Sequence, residues 1–429
     1  MNAALRVGYE GAARLARALS AFAPAEGSKL ARTFAERRGV LARYSTFARV
    51  QASPLLWMHA PSVGEGLQAR PVLELARQRM PQLQLAYTYF SPSARDFAAK
   101  LDVDFRDVLP FDDTPDMRGA LAALQPTALV FSKLDVWPTL VREASARKAR
   151  LGVVSATLAR DSSRLSWLAG AILRDAYARL DLVGAISADD ADRLISLGVP
   201  ASRVRVTGDT RYDQVWARAQ GVNRASSLLA PLINGRPTLV AGSTWPADEA
   251  VLLPAWERLA AKQRDARLII APHEPTPSHL DPIEAWARGA GLQLARLGED
   301  AEREADVVLV DRVGVLGELY ALGNAAFVGG AFHSAGLHSV LEPAAFGAPV
   351  MFGPLHTGSR DALLLLDEDA AIAVGDVESA AAALERWFAS GTERSAAGDA
   401  AARAVHRGLG AAERTWSLVS ELLSISARR

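Results

Sequence analysis

Cysteine is absent from this 429-residue chain. That excludes structural disulfides and thiolate metal sites and fits a cytoplasmic setting. Net charge is absent as well, because 48 lysines and arginines balance 48 aspartates and glutamates. No global attraction to nucleic acid follows, so nucleic acid is not an expected partner and any charged partner must meet a local patch. No apolar run approaches the roughly 18 residues that a membrane span needs. The opening stretch, MNAALRVGYEGAARLARALSAFAP, is broken by arginines and lacks the apolar centre of a signal peptide.

What is present is a regular alternation. The length exceeds what one hydrophobic core usually supports, which predicts two domains. Apolar strand candidates at 55–59, 83–88, 127–132, 150–155, 182–187 and 203–208 alternate with helical patterns. The series restarts at 238–243, 267–272, 306–310, 325–330, 348–353 and 370–374. Such strands indicate parallel sheets covered on both faces. The expected fold is therefore α/β, two Rossmann-like doubly wound domains facing an interdomain cleft that holds the ligands. The boundaries read as 1–215, a linker at 216–236 containing PLINGRP, a second domain at 237–405, and a C-terminal helix at 406–429 able to pack back on the first domain.

The N-terminal segment is patterned as an amphipathic helix. Leu5, Tyr9, Ala12, Leu15, Leu19 and Phe22 share one face, and Arg6, Glu10, Ala13, Arg14 and Arg17 the other. Lys29, Arg32, Arg37, Arg38 and Arg43 add positive charge. The segment reads either as an interfacial helix on an anionic membrane surface or as a first helix packed on its own domain.

Two stretches carry candidate chemistry. In HAPSVGEG, His59 to Gly66, a strand ends and a helix opens at Ser62. Ser62-x-x-Glu65 fits a capping box, yet Gly64 and Gly66 leave room for a substrate to approach Glu65 as a general base. In GGAFHSAGLHSVLEPAAFGAPVMFGP, Ser339-x-x-Glu342 is a second capping box. There Gly329, Gly330 and Gly336 would let backbone N–H groups face a phosphate, and Glu342 could accept ribose hydroxyls. This segment has no G-x-G-x-x-G or Walker pattern. His333 and His338 are either loop histidines or ligand contacts. Ser243 and Thr244, in AGSTWPADE, and His273, in APHEPTPSHL, follow strand ends and are phosphate-side candidates or N-capped loops. Asp102-x-Asp104 resembles a metal-binding D-x-D but precedes a Pro-Phe-Asp turn, so it reads as solvated acid, and no metal site is expected.

These motifs occur in an order that resembles a family. WMHAPSVGEGLQARPVL, LPFD (109–112), VWP (136–138), VTGDTRYD (206–213), VLGELYALGNAAFVGGAF and GLHSVLEPAAFGAPVMFGP are similar to stretches of bacterial 3-deoxy-D-manno-octulosonic acid (Kdo) transferases. The resemblance spans roughly residues 30 to 415. It implies the GT-B glycosyltransferase fold and inverting transfer of Kdo from CMP-Kdo to a lipid A precursor, with no bound metal or other cofactor. It further implies peripheral attachment to the cytoplasmic face of the inner membrane, in lipopolysaccharide biosynthesis. On matching positions Glu65 is the general base, with His59, Ser62 and Gly64 on the acceptor side. Gly317, Glu318, Leu319 and the segment holding Gly336, His338, Ser339 and Glu342 hold CMP, with Ser243, Thr244 and His273 toward the phosphate.

The chain also departs from that pattern. PHEPTPSH replaces a Pro-Arg-His-Pro-Glu-Arg run, Ser339 replaces an asparagine, and Arg211 stands where lysine is common. Ser132-Lys133 followed by Leu134-Asp135-Val136 replaces Glu-Thr-Glu-Leu before Trp-Pro. The readings left open are a related enzyme with another nucleotide-sugar donor, a sugar-nucleotide epimerase, and a non-catalytic glycolipid-binding relative.

Overall fold

The computed structural model describes residues 3–24, 26–159, 162, 164, 166–334 and 336–426. The extreme positions of the expected domains, 1, 2 and 427–429, lie outside the described residues. The chain forms two compact units, Met1–Gln214 with Leu409–Arg429, and Val215–Gly408.

The first unit carries strands β1 (Leu55–His59), β2 (Gln84–Tyr89), β3 (Phe105–Val108), β4 (Ala128–Ser132), β5 (Arg150–Ala156), β6 (Leu182–Ala185) and β7 (Val204–Val206). They form one parallel sheet in the order β3-β2-β1-β4-β5-β6-β7. The second carries β8 (Thr238–Thr244), β9 (Arg267–Pro272), β10 (Leu294–Arg296), β11 (Val307–Leu309), β12 (Ala325–Val328), β13 (Val350–Phe352) and β14 (Ala371–Ala373). Its parallel order is β10-β11-β9-β8-β12-β13-β14. Both units are thus doubly wound α/β sheets of the GT-B class.

Strand order reverses between β1 and β4 in the first sheet and between β8 and β12 in the second. Helices diverge at such a point and leave a crevice past the strands' C-terminal ends. His59 pairs in register with Phe131 there, and Gly242 with Val328. The sequence motifs around Glu65, Lys133, Ser243 and Gly329 follow these four strand ends.

Residues 216–236, expected as a linker, belong to the second unit. Leu229 and Leu232 are fully buried in a cluster with Val240, Ile269 and Tyr320. Apolar side chains so placed cannot leave the fold without losing about 1.5–3 kcal/mol each. The helix Ala411–Ser426 completes the first unit's core with Trp416, Val419 and Leu422. A Cβ on Gly152 of β5 would stand 2.6 Å from Leu422 Cδ1, so that glycine is what admits the helix.

The helix Ala3–Ser20 packs on its own unit through polar contacts and also turns apolar side chains outward. Tyr9, from the face expected to be apolar, donates to Asp112 at 2.8 Å, while from the other face Glu10 pairs with Arg142 at 2.9 Å and Arg17 pairs with Asp113 and Asp116. Leu15, Leu19 and Phe22 face outward, 61%, 50% and 87% exposed. The basic collar is also smaller than the sequence suggests. Arg37 is buried, donates to the carbonyls of Thr33 and Phe90, lies 4.2 Å from the Phe90 ring centroid, and burial pulls it down to about 10. Arg43 is spent on a two-pronged pair with Asp107 at 2.6 and 2.8 Å.

Candidate active site

In the first unit, β1 delivers a turn and then the helix Val63–Arg79, with Glu65 in its first turn. Ser62 is the N-cap residue, but its side chain makes no capping hydrogen bond. The capping box is therefore not formed. The Ser62 hydroxyl donates to the Glu65 carboxylate instead, and Lys133 Nζ donates to Glu65 Oε1 at 2.9 Å. Burial pushes the Glu65 carboxyl up, but the Ser62 and Lys133 contacts more than reverse it and hold it below its ordinary value. A pocket of about 320 Å³ is lined by Glu65 with Lys133, Asp135, Thr157, Ser162 and Arg164.

The two glycines beside Glu65 serve different ends. Gly64 is exposed, and a Cβ there would meet only the Ser62 hydroxyl at 3.9 Å, which leaves that side of Glu65 open. Gly66 is buried, where a Cβ would stand 2.5 Å from Phe97 and 2.7 Å from the Tyr87 hydroxyl. Its role is packing rather than substrate approach.

His59, predicted on the acceptor side, is fully buried and presents no surface to a ligand. It hydrogen-bonds Thr88 Oγ1 at 3.0 Å and Asp135 Oδ2 at 3.2 Å, and Trp137 Nε1 donates to the same Asp135 oxygen at 3.0 Å. Burial pushes Asp135 up, yet His59, Trp137 and nearby Arg164 keep it below the usual carboxylate range. His59 thus orients a carboxylate that lines the pocket.

Other motifs of the first unit are clips. Asp112 of LPFD accepts the backbone N–H groups of Thr139 and Leu140, at 2.8 Å each, and so caps the helix that VWP opens. In VTGDTRYD, Asp213 accepts from Gly410 and Ala412 and anchors the C-terminal helix. Asp104 accepts from Leu85 N and Arg77, which spends it as an ion pair. Among the described residues, no group of three or more histidines and carboxylates is arranged to hold a metal.

In the second unit the glycine loop differs from expectation. The N–H of Gly329 goes to Gly242, that of Gly330 to Asp248 Oδ2 at 2.8 Å, and that of Gly336 to His333. Asp248 also accepts from Phe332 and Trp245. These N–H groups do not face a ligand, because a buried carboxylate and neighbouring carbonyls take them. The glycines allow close backbone approach: a Cβ on Gly329 would stand 2.2 Å from the Ser243 carbonyl, and one on Gly330 2.2 Å from that of Gly336. The second capping box is also unformed, since the N-cap position of the short helix Leu341–Ala345 falls on Val340, which has no side-chain acceptor, and Ser339 lies exposed.

Ser243, next to last in β8, has a left-handed φ of 55° and is half-buried. Thr244 is buried and donates to Glu249 at 2.8 Å, so its hydroxyl is already spent. His273 is exposed and stacks on Trp245 at 4.7 Å. His333 stacks on the same indole at 5.2 Å, and His338 stands 4.5 Å from His273. Burial and the neighbouring His273 lower His338.

Gly317 and Glu318 lie in the turn Leu316–Leu319, whereas Leu319 is fully buried in the core and offers no side chain to a ligand. Arg218 lies over Gly317, where a Cβ would stand 2.3 Å from its guanidinium carbon. Burial lifts Glu342 above its ordinary value, and Arg218 partly offsets this. Arg218, Trp245 and Asp248 escaped the sequence reading, whereas Lys133 and Asp135 appeared there only as departures from a pattern.

A family model described as 3-deoxy-D-manno-octulosonic-acid transferase (kdotransferase) matches residues 32–214. The 3-deoxy-D-manno-octulosonic acid transferase of Bordetella pertussis is 30% identical over 389 residues, covering 87% of this chain and 88% of its own. The chain belongs to the Kdo transferase family. As a member it is a glycosyltransferase. The Kdo transferase of Haemophilus influenzae is 26% identical, with 82% of each chain covered. Among solved structures, UDP-GlcNAc 2-epimerase from Neisseria meningitidis, bound to UDP-GlcNAc, superposes with a TM-score of 0.63 at 14% identity, over 86% of this chain and 99% of that one. A glycosyltransferase from Rickettsia africae gives 0.58 at 11% identity, over 88% and 100%. At such identities the structural likeness is one of fold.

Proposed function

We propose that this Kdo transferase family member moves Kdo from CMP-Kdo to a lipid A precursor, with inversion and without a metal. Glu65 takes the proton of the acceptor hydroxyl. The acceptor oxygen then bonds the anomeric carbon as the bond to the CMP phosphate breaks, and CMP leaves with the electron pair. The observation that carries this reading is the Glu65 carboxylate, held below its ordinary value, lining a pocket with Gly64 open beside it. General-base catalysis of this kind contributes roughly 10²–10⁴ in rate.

The second unit supplies the donor site in this proposal. Arg218, over Gly317, and Glu342 serve the nucleoside, and Ser243, His273 and His338 the phosphate. The epimerase likeness is of fold alone and does not favour that chemistry.

The reading places the enzyme peripherally at the cytoplasmic face of the inner membrane. Its support is the helix Ala3–Ser20, bound to its own unit by polar contacts while Leu15, Leu19 and Phe22 face outward. Arg6, Arg14, Lys29, Arg32 and Arg38 are exposed nearby in the sequence. An interfacial helix would use such outward apolar side chains and exposed basic residues on anionic lipid.

The test is transfer from CMP-Kdo to a lipid A precursor, with and without EDTA. Wild-type turnover unaffected by EDTA and lost in Glu65→Gln supports the proposal. Conversion of the donor without acceptor would point to epimerisation, and near-wild-type turnover in Glu65→Gln would remove the general base.

A further inference from the structure

Lys133 stands at the topological switch point, on the first residue after β4, in a backbone conformation that a lysine rarely adopts. Its φ is 60°, and its N–H donates to the Val154 carbonyl of the neighbouring β5 at 2.9 Å. A non-glycine residue held there is strained, and persists where its surroundings over-determine it. The turn brings the ammonium to Glu65 Oε1 at 2.9 Å. The preceding residue reinforces the link, since Ser132 Oγ donates to the Glu65 backbone carbonyl at 2.9 Å. Two consecutive residues at the end of β4 therefore grip Glu65 by its backbone and by its side chain.

We propose that Lys133 is a positioning residue for the transfer, fixing the Glu65 carboxylate in one orientation and keeping it charged until the acceptor hydroxyl arrives. The inference rests on Glu65 being the general base. The Ser62 hydroxyl donates to the other carboxylate oxygen, so both oxygens are held and rotation of the carboxylate is restrained. The remaining charged or titratable groups that face Glu65 are Tyr87, whose hydroxyl burial keeps neutral, and Asp135 and Arg164, which line the same pocket. Asp135 already has His59 and Trp137 as partners, and Lys133 is the cation in direct contact with Glu65.

The arrangement carries a trade-off. A cation beside a carboxylate keeps more of it ionised at lower pH but makes it a weaker base. When Glu65 accepts the acceptor's proton, the ammonium loses its anionic partner. That imbalance favours release of the proton to solvent, returning the base for the next turnover. Lys133 thus acts through Glu65 and takes no part in bond making.

The sign follows directly. With Lys133 present the carboxylate stays charged as pH falls; without it, protonation begins at higher pH. The pH profile of kcat/KM should therefore keep its shape in Lys133→Met while its acidic limb moves to higher pH. Lys133→Arg should restore the limb toward wild type. An acidic limb unchanged in Lys133→Met, with Glu65→Gln inactive, would overturn the role of Lys133 and leave the general base standing. Full activity in Glu65→Gln would instead remove the base itself. Should Lys133→Met fail to fold, infrared titration of wild type and of Lys133→Gln, each against Glu65→Gln, reads the carboxylate directly. A Glu65 band titrating higher in Lys133→Gln than in wild type supports the proposal, and one titrating alike in both refutes it.

Discussion

The Tyr9 hydroxyl donates to the Asp112 carboxylate over 2.8 Å, joining positions 103 residues apart in sequence. Three donors converge on that carboxylate, the other two being the N–H groups of Thr139 and Leu140. Removing the hydroxyl in Tyr9→Phe should cost about 1–2 kcal/mol of stability, read by urea unfolding. A titration follows as well. Burial pushes Asp112 up to about 6, so between about 4 and 6 the folded protein holds a proton that the unfolded chain releases. This group's contribution to stability must fall as pH rises through that window and level off above it. The difference in melting temperature between wild type and Asp112→Asn should show that slope.

The two glycines flanking Glu65 should respond in opposite senses. Gly64 lies inside a helix with open space at its Cβ position, so Gly64→Ala should stabilise by roughly 0.5–1 kcal/mol. Its methyl group beside Glu65 should raise KM for the acceptor. Gly66→Ala drives a methyl into Phe97 and Tyr87 and should destabilise by about 1–3 kcal/mol. Thermal melts of the pair, with acceptor kinetics for the first, check both.

The proposed membrane attachment through the outward apolar face predicts a surface phenotype without a folding one. Leu15→Ser, Leu19→Ser and Phe22→Ser combined should lower partitioning onto anionic vesicles at least about tenfold, with an unchanged melting temperature. Raising salt should weaken binding of the wild type. Equal vesicle binding by the triple variant would show that the helix serves its own unit alone.

Asp248→Asn tests the glycine loop of the second unit. The carboxylate accepts three backbone N–H groups, and an amide NH₂ would confront at least one of them. A loss of roughly 1–3 kcal/mol is expected from urea unfolding, along with weaker CMP binding by calorimetry.

Both doubly wound sheets were legible because their central strands are almost wholly apolar. The strands missed, β3 and β10, lie at sheet edges, where Arg106 and Asp107 or Arg296 face partly outward and break the apolar run. Edge position relaxes the demand for apolar residues on both faces, and with it the signal. Glu65 was legible as a residue, but its surroundings were not. A capping box and an ion-paired base share one local pattern, and the choice was made by Lys133, distant in sequence. The glycines at 329 and 330 likewise signalled close approach without saying to what; the answer was backbone and Asp248. Arg37 looked like surface charge because Phe90, whose ring and carbonyl it meets, is distant in sequence.

The first unit is made of two separated stretches of chain, with the second unit encoded between them. During synthesis the order of completion must therefore differ from the order of manufacture. The first sheet emerges early yet lacks Trp416, Val419 and Leu422, which seal its core beside Gly152. The second unit has all of its residues before that helix is translated. The part of the enzyme that begins first is the last to be closed, and until then its β5 face remains exposed to whatever apolar surface the cell presents.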